Sequence, residues 1–562
     1  MKKLVFAGLG LGLILASCQE IGGMFKNDAA HEAKDSARAN LPVIERDAGI
    51  TEANAYSDLF LDSTYIEQFI RNRQLNDSMA RDLRNFYNAR NLQYAWFASD
   101  GMTEQGRGLW TLRDSVRSEG TKRNREDSLQ GRIDSLAAND SLRIARNDTS
   151  FVQAELMLTE RFIRFARNSA AREMMGRRWY TAFVPARKMN ALELADSLAK
   201  SEADQPNLAP ATADSSNRNA SEQQAYDRMQ TELSRYADLV RKGGWQPVNL
   251  AGIKLVKGRS HPAVVALKKR LQLSGDYTGK DTSAVYNDSL IVAVRSFQAR
   301  HGFREDGMVN DSLVQVMNIP AEQRLQQLLV NMNRLLWMPE PSNGKAIQVN
   351  IPSYMLHYYA DSGKAFDMEV VVGKEGANTV MFSGKLNQIV FSPYWNIPAS
   401  IVQNEILPAM KSNKQYLSQR NMEVVNDKGD VPVIRQKPGK DNALGRVKFL
   451  FPNSYDIYLH DTPDKGLFNR DQRALSHGCI RVADAEKLAT HLLQSVPGWT
   501  PERIRQAMNS GQEQTVKLEN GVPVNITYLT AWVDEQGRLQ FRNDIYGHDQ
   551  RTAARMFVPA KA

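Results

Sequence analysis

The hydrophobic period of this chain changes once, and that change constrains the fold more than any other feature. Up to Trp337-Met338-Pro339 the apolar residues recur at helical spacing; beyond it they alternate. Tyr226, Met229, Leu233, Tyr236 and Val240 step by three and four, one helical stripe that stops at Gly243-Gly244. Leu75, Met79, Leu83, Phe86 and Tyr87 mark an earlier helical face, and Leu92, Tyr94, Trp96 and Phe97 follow as a buried patch. By contrast, 346–351, 355–360 and 366–372 alternate between Gly, Pro, Asn or Asp boundaries, which predicts strands and hairpins. Strand signals continue over 388–391, 446–451, 456–459, 524–533 and 539–541, with a helical inset near 401–419 and a helix near 483–493. The expected fold class is therefore multi-domain, α in the first half and α+β in the second. At 562 residues the chain is too long for one hydrophobic core, and two to four domains follow.

The extreme N-terminus has its own logic. Met1-Lys2-Lys3 is basic, and Leu4 to Leu15 is apolar but too short to span a bilayer. Leu15-Ala16-Ser17-Cys18 resembles a bacterial lipobox, so 1–18 is expected to be a lipoprotein signal with Cys18 as the lipidated residue. Polar residues 19–54 then form a flexible tether. This places the protein in a bacterial cell envelope, periplasmic and held to a membrane by its N-terminal lipid. The only other cysteine is Cys479. With Cys18 lipidated no internal disulfide is possible, and a lone thiol in an oxidising compartment points to a reactive role. The net charge of +9 (72 basic minus 63 acidic) is spread along the chain, without a basic stripe, zinc-finger spacing or RNP-type motif, so no nucleic-acid partner is expected.

Residues 55–250 read as a helical scaffold domain. Within it, 113–149 is a heavily charged excursion with repeated Asp-Ser-Leu triplets, expected to be a solvated helix, and 204–221 is a polar loop. Residues 251–320 contain three short helices. Val265, Leu267, Leu271, Gly275, Ala293, Val294, Phe297, Gln298, Gly302, Asp306 and Gly307 resemble the three-helix peptidoglycan-binding module that accompanies many wall enzymes.

The chemistry is concentrated in Tyr458-Leu459-His460-Asp461-Thr462 and Ser476-His477-Gly478-Cys479-Ile480-Arg481. A cysteine nucleophile needs a base or a cation, because a free thiol is mostly protonated at neutral pH. One histidine lies 19 residues upstream of Cys479 and another two upstream. Gly478 permits a sharp turn whose N–H groups are natural oxyanion donors, and Arg481 is placed to pin the loop or meet a substrate carboxylate. In an extended segment His477 would share a face with Cys479, and Asp461 would point away from His460, leaving a backbone carbonyl as that ring's orienter. An imidazolium partner is expected to depress the thiol enough for alkylation at pH 6. No H-x-x-H, H-E-x-x-H, paired-cysteine or glycine-rich phosphate motif occurs, so neither metal nor cofactor is expected.

HDT followed by SHGCIRV resembles the signature of the L,D-transpeptidases with a YkuD-type catalytic domain. The likeness extends through Ser392–Pro398, Ile406–Pro408, Leu444–Arg446 and Leu467-Phe468. With the helical half and the binding module, it is similar to the large YcbB-like subgroup. The resemblance implies a β-rich catalytic domain over 340–500, a possible lid at 403–443, and a C-terminal extension over 501–562 packing on it. It implies Cys479 as nucleophile and His460 as base, with Ser476, His477, Gly478 and Arg481 as oxyanion or supporting residues. Tyr458, Trp395 and Asn396 would line the cleft. The implied partners are peptidoglycan stem peptides, with a wall-linked protein as a further acceptor and carbapenems as covalent inhibitors. A sortase also places His before Cys but lacks this turn, wall-acting cysteine peptidases usually reverse the order, and an inactive wall-binding scaffold would not need the full motif.

Overall fold

The structure is a computed structural model that describes residues 43–116, 133–134, 136, 143–145, 148–167, 184–203, 220–250, 252–335, 337–338, 344–361 and 363–559. Cys18 and its lipobox, tether residues 19–42, most of the excursion 113–149 and residues 204–219 lie outside the described residues. The chain divides into two compact units, one from 1–99 with 143–187, the other from 100–142 with 188–562.

In the smaller unit, helices Ser63–Arg73 and Asp77–Asn88 begin at Asp62 and Asn76, whose side chains accept from the Thr64 and Met79 amides. They pack with Val152–Arg167 around Leu83, Tyr87, Trp96 and Phe162, as the helical stripe requires. One carboxylate, Glu155, sits inside that core. It accepts from the Ala95 and Trp96 amides and the Tyr87 hydroxyl, and burial pushes it up to about 7.

The scaffold expected over 55–250 is not a single body. Helix Glu104–Val116 belongs to the larger unit, where Glu104 pairs with Arg334 at 2.9 Å and Gly108 lies flush on Trp337. Helix Ala220–Arg241 packs there on Ala321–Leu335. Helical periodicity identifies a buried face but not the partner that buries it.

Helices Ala263–Ser274, Asp288–Arg300 and Asp311–Met317 enclose a separate core of Val264, Leu267, Leu271, Leu290, Val294, Phe297, Leu313 and Met317. The Phe-Gln…Asp-Gly pattern has a direct cause. Phe297 is fully buried, while the Gln298 amide donates to Asp306 Oδ1 at 2.7 Å and accepts from Gly307 N at 2.8 Å, pinning the turn.

The strands of the C-terminal half are β1 (Ala346–Asn350), β2 (Met355–Ala360), β3 (Gly363–Gly373), β4 (Phe382–Phe391), β5 (Trp395–Asn396), β6 (Met422–Asn426), β7 (Val433–Gln436), β8 (Val447–Leu450), β9 (Leu459–His460), β10 (Ala474–Ser476), β11 (Ile480–Val482) and β12 (Gln514–Thr527). Nine form one sheet in the order β10-β3-β11-β9-β8-β4-β12-β1-β2, and β2 also pairs with β3, so the sheet closes on itself. The closed part of the sheet encloses Ile347, Val349, Val370, Val372, Phe449, Leu459, Ile480 and Val482, while the short β10 pairs on one side only. Helices Ala485–Leu493 and Pro501–Asn509 add Leu488, Leu492 and Ile504 to that core.

One boundary is corrected here. The segment after 500 does not merely pack on the catalytic domain: β12 sits between β4 and β1, and without it the sheet would be open. The inset at 403–443 combines the expected helical stretch with strands. A helical stretch with a single π turn at Val402–Ile406 packs on a three-stranded sheet β5-β7-β6. Ile397, Val402, Ile406 and Ile434 give that inset a core of its own.

Candidate active site

The site is set by how β9 and β11 lie together. They run parallel, with Leu459 opposite Ile480 and His460 opposite Arg481, and the Ile480 amide donates to Tyr458 O at 3.1 Å. Leu459, Ile480 and Val482 point into the core. By strand alternation Tyr458, His460, Cys479 and Arg481 share the opposite face. His460 and Cys479, 19 apart in sequence, thus lie diagonally across two paired strands.

The turn before Cys479 is held from several sides. Gly478 has φ +112, a conformation L side chains rarely adopt. Ser476, buried at 2%, donates through Oγ to the Cys479 carbonyl at 2.6 Å and accepts from Gly478 N at 3.2 Å. Thr379 Oγ1 donates to Gly478 O at 2.7 Å and accepts from Gly373 N at 2.9 Å. The Tyr546 hydroxyl donates to Gly373 O at 2.5 Å, carrying the brace into the C-terminal segment.

His460 is 4% exposed, and its Nδ1 lies 2.5 Å from the Asp461 carbonyl. That contact fixes the tautomer with Nδ1 protonated and leaves Nε2 as the lone-pair nitrogen. Burial, then the nearby Arg481 charge, push the ring down to about 4. The Asp461 carboxylate turns elsewhere, accepting from Arg446 N at 2.9 Å and from Lys465 at 2.7 Å. Cys479 Sγ donates to the Asp456 carbonyl at 3.6 Å and is hydrogen-bonded to Tyr458. Burial pushes the thiol above its ordinary value, and the Tyr458 bonds offset this only in part. The shifts run against the thiolate–imidazolium pair expected from the sequence: burial raises the thiol and lowers the imidazole.

Residues 344–550 match the L,D-transpeptidase catalytic domain family of YkuD type. This region is an L,D-transpeptidase domain. Residues 81–242 match a scaffold domain, and 260–317 match a family described as a "Putative peptidoglycan binding domain". A Haemophilus influenzae protein described as "Putative L,D-transpeptidase" is 35% identical over 298 residues, which is 50% of this chain and 59% of that relative. The chain thus spans under two thirds of that relative's length. Among solved structures, an L,D-transpeptidase from Stackebrandtia nassauensis is 14% identical with TM-score 0.22, covering 48% of this chain and 93% of the other. The catalytic domain of the E. faecium L,D-transpeptidase, acylated by ertapenem, is 13% identical with TM-score 0.17, covering 33% and 98%. Likeness at that level carries no argument about this chain.

The L,D-transpeptidase domain does not gather every residue expected at the cleft. His477 turns from Cys479, with Nε2 3.0 Å from Glu405 Oε1 on the π turn of the inset. Trp395 packs on the inset core, and Asn396 is exposed beside Arg435 on β7. Among the described residues, no cluster of His, Cys, Asp or Glu could hold a metal. The sequence reading missed Asp456, whose left-handed φ of +54 is held in a loop that the Asn453 side chain pins, and it missed Thr379, Tyr546 and Glu405. No local pattern marks these four, because each matters through a contact far away in sequence.

Proposed function

We propose that this chain is a peptidoglycan L,D-transpeptidase that passes through a thioester on Cys479. What supports the reading most is the single face shared by His460, Cys479 and Arg481, with His460 Nδ1 anchored on a carbonyl and Nε2 left as base. The donor is a tetrapeptide stem. Nε2 takes the thiol proton as sulfur attacks the carbonyl of the third residue, meso-diaminopimelate. The tetrahedral oxyanion is received by backbone N–H groups of the turn. Collapse breaks the bond to D-Ala, whose amine leaves with the proton held by His460. An imidazole depressed to about 4 is a weak base but a willing acid, so return of that proton is fast. An acceptor amine then attacks the thioester, gives its proton to His460, and the sulfur leaves and is reprotonated.

The acceptor amine belongs to a second stem, giving a 3-3 cross-link, or to a wall-linked protein. The module around Phe297 and Gln298 holds the enzyme to the wall, and lipidated Cys18 tethers it to a membrane. Carbapenems acylate Cys479 through their strained ring carbonyl. The test is turnover by the purified chain of a synthetic tetrapeptide with an added amine. D-Ala release with formation of a new amide supports the reading, D-Ala release with water alone makes the protein a carboxypeptidase, and no release leaves a wall-binding scaffold.

A further inference from the structure

The registers of β8, β9 and β11 align Lys448 with His460 and His460 with Arg481. Registered residues on neighbouring strands point to one side of a sheet, and Val447, Phe449, Leu459, Ile480 and Val482 occupy the other, in the core. The face that carries Cys479 therefore holds a row of three basic residues, with the catalytic histidine in the middle. Both outer cations lower the affinity of that ring for a proton.

Elsewhere in the same unit, buried cations are neutralised or stacked. Arg300 pairs with Asp276 at 2.6 Å and Arg334 with Glu104 at 2.9 Å, while Arg270 lies 3.7 Å over Trp245 and Arg324 4.4 Å over Phe541. Among the described residues Lys448 has neither arrangement, and Arg481 has only one long pair with a solvent-exposed carboxylate. Arg481 reaches only Asp464, at 3.6 Å and 68% exposed, and its Nε is buried without a hydrogen-bond partner. Lys448 donates to the Tyr394 carbonyl at 3.3 Å and meets no carboxylate within ion-pair distance. Burial pushes both below their ordinary range. Cations partly withdrawn from water with only an exposed or more distant counter-charge, Asp464 for Arg481 and Glu513 for Lys448, are costly, and a ligand that supplies more charge recovers that cost.

We propose that Lys448 and Arg481 are the two arms of a carboxylate subsite around His460, which receives the free C-terminal carboxylate of the acyl-donor peptide. The identity of that peptide rests on the transpeptidase reading; the anionic character of the ligand does not. Reach favours the terminal carboxylate over the others on a stem peptide. Arg481 is two residues from Cys479 on one strand face, ~6–7 Å along the chain. The carboxylate of a one-residue leaving group lies roughly one residue, under about 4 Å, past the scissile carbonyl. Its charge offsets both cations, so the histidine becomes a better base when the correct donor is in place. The row thus makes free-acid donors both better bound and better activated than capped ones.

The experiment uses the full chain carrying Cys479→Ala, which binds without reacting. Calorimetry compares the tetrapeptide L-Ala-γ-D-Glu-meso-diaminopimelate-D-Ala with the same peptide amidated at its C-terminus. The free acid should bind about 10- to 100-fold tighter, the scale of charge-assisted hydrogen bonds. Adding Lys448→Met should bring that ratio towards one and Lys448→Arg should restore it; Arg481→Gln is the second variant should Lys448→Met fail to fold. Equal binding of acid and amide, a ratio untouched by these changes, or no binding of either peptide overturns the subsite. If the acid preference holds but the wild type releases no D-Ala, the subsite stands and the transpeptidase reading falls.

Discussion

His477 Nε2 and Glu405 Oε1 stand 3.0 Å apart, so the histidine two residues before Cys479 is tied to the inset rather than to the sulfur. Gly478 causes this. Its φ of +112 breaks the extended run in which residues 477 and 479 would share a face. The π turn at Val402–Ile406 is the matching irregularity on the other side, a helical defect of the kind that often accompanies function.

His477 and His460 should therefore separate kinetically. His460→Ala should slow acylation of Cys479 by ~10²-fold or more, the usual scale for a positioned base. His477→Ala should slow it by less than about 10-fold on the same scale. Single-turnover acylation by a carbapenem reads both, and the reverse ranking would make His477 the base.

Glu405→Gln should leave stability nearly unchanged, since both side chains are about half exposed and such pairs contribute ~0–1 kcal/mol. If the inset closes over the donor, the same change should raise KM several-fold and alter kcat little. Equal KM values for wild type and variant would leave the pair without a role in closure.

The thiol should be slow at pH 6. Its value lies above the ordinary range, so the thiolate fraction is small there and grows only in alkaline solution. Iodoacetamide rates against pH should show an inflection above that of a free cysteine. An inflection below neutrality would restore the ion pair that the sequence suggested.

Acid should weaken the fold through His460. The unfolded chain takes up this proton near 6.5 and the folded one only at about 4, so between those values the unfolded state binds more protons. The stability is fully present above pH 6.5 and is lost as pH falls towards 4, by on the order of 3 kcal/mol. Urea unfolding from pH 7 to 4 should show a steeper loss for wild type than for His460→Gln. Parallel slopes would mean that the ring is not buried as a neutral group.

Ser476→Ala removes one hydroxyl that serves two backbone groups of the turn at Gly478-Cys479. Leaving these buried groups short of a partner should cost ~1–3 kcal/mol and slow acylation at least 10-fold. Gly478→Ala has room for its Cβ, with nothing nearer than 3.7 Å, so its cost of about 1–3 kcal/mol is purely conformational. Acylation rates with unchanged circular dichroism distinguish a disturbed turn from a lost fold.

Much of this was legible in the sequence, for physical reasons that also set the limit. Alternation marked β1 to β3 as strands with a core face, because burial on one side of a strand enforces period two. The direction of the Asp461 side chain on a strand favoured a backbone carbonyl as the partner of His460, but which carbonyl it is required the fold. The last 60 residues were misjudged because β12 pairs with strands more than 100 residues away, and pairing at that distance leaves no local signal. Trp395 was ambiguous for a related reason: an aromatic on a short strand suits a cleft or a small core, and the inset supplied the core. The pKa shifts at Cys479 and His460 run opposite to the expected direction because they are set by desolvation, which spacing along the chain does not encode.

The central claim is that Cys479 becomes acylated by a stem peptide with loss of D-Ala. Acid quench of the full chain mixed with tetrapeptide, followed by intact-mass and peptide mapping, measures this directly. The account predicts one added tripeptide acyl group on the peptide containing Cys479, absent from Cys479→Ala and discharged by an added amine. An unmodified Cys479 in active protein, or the same adduct on Cys479→Ala, would contradict it.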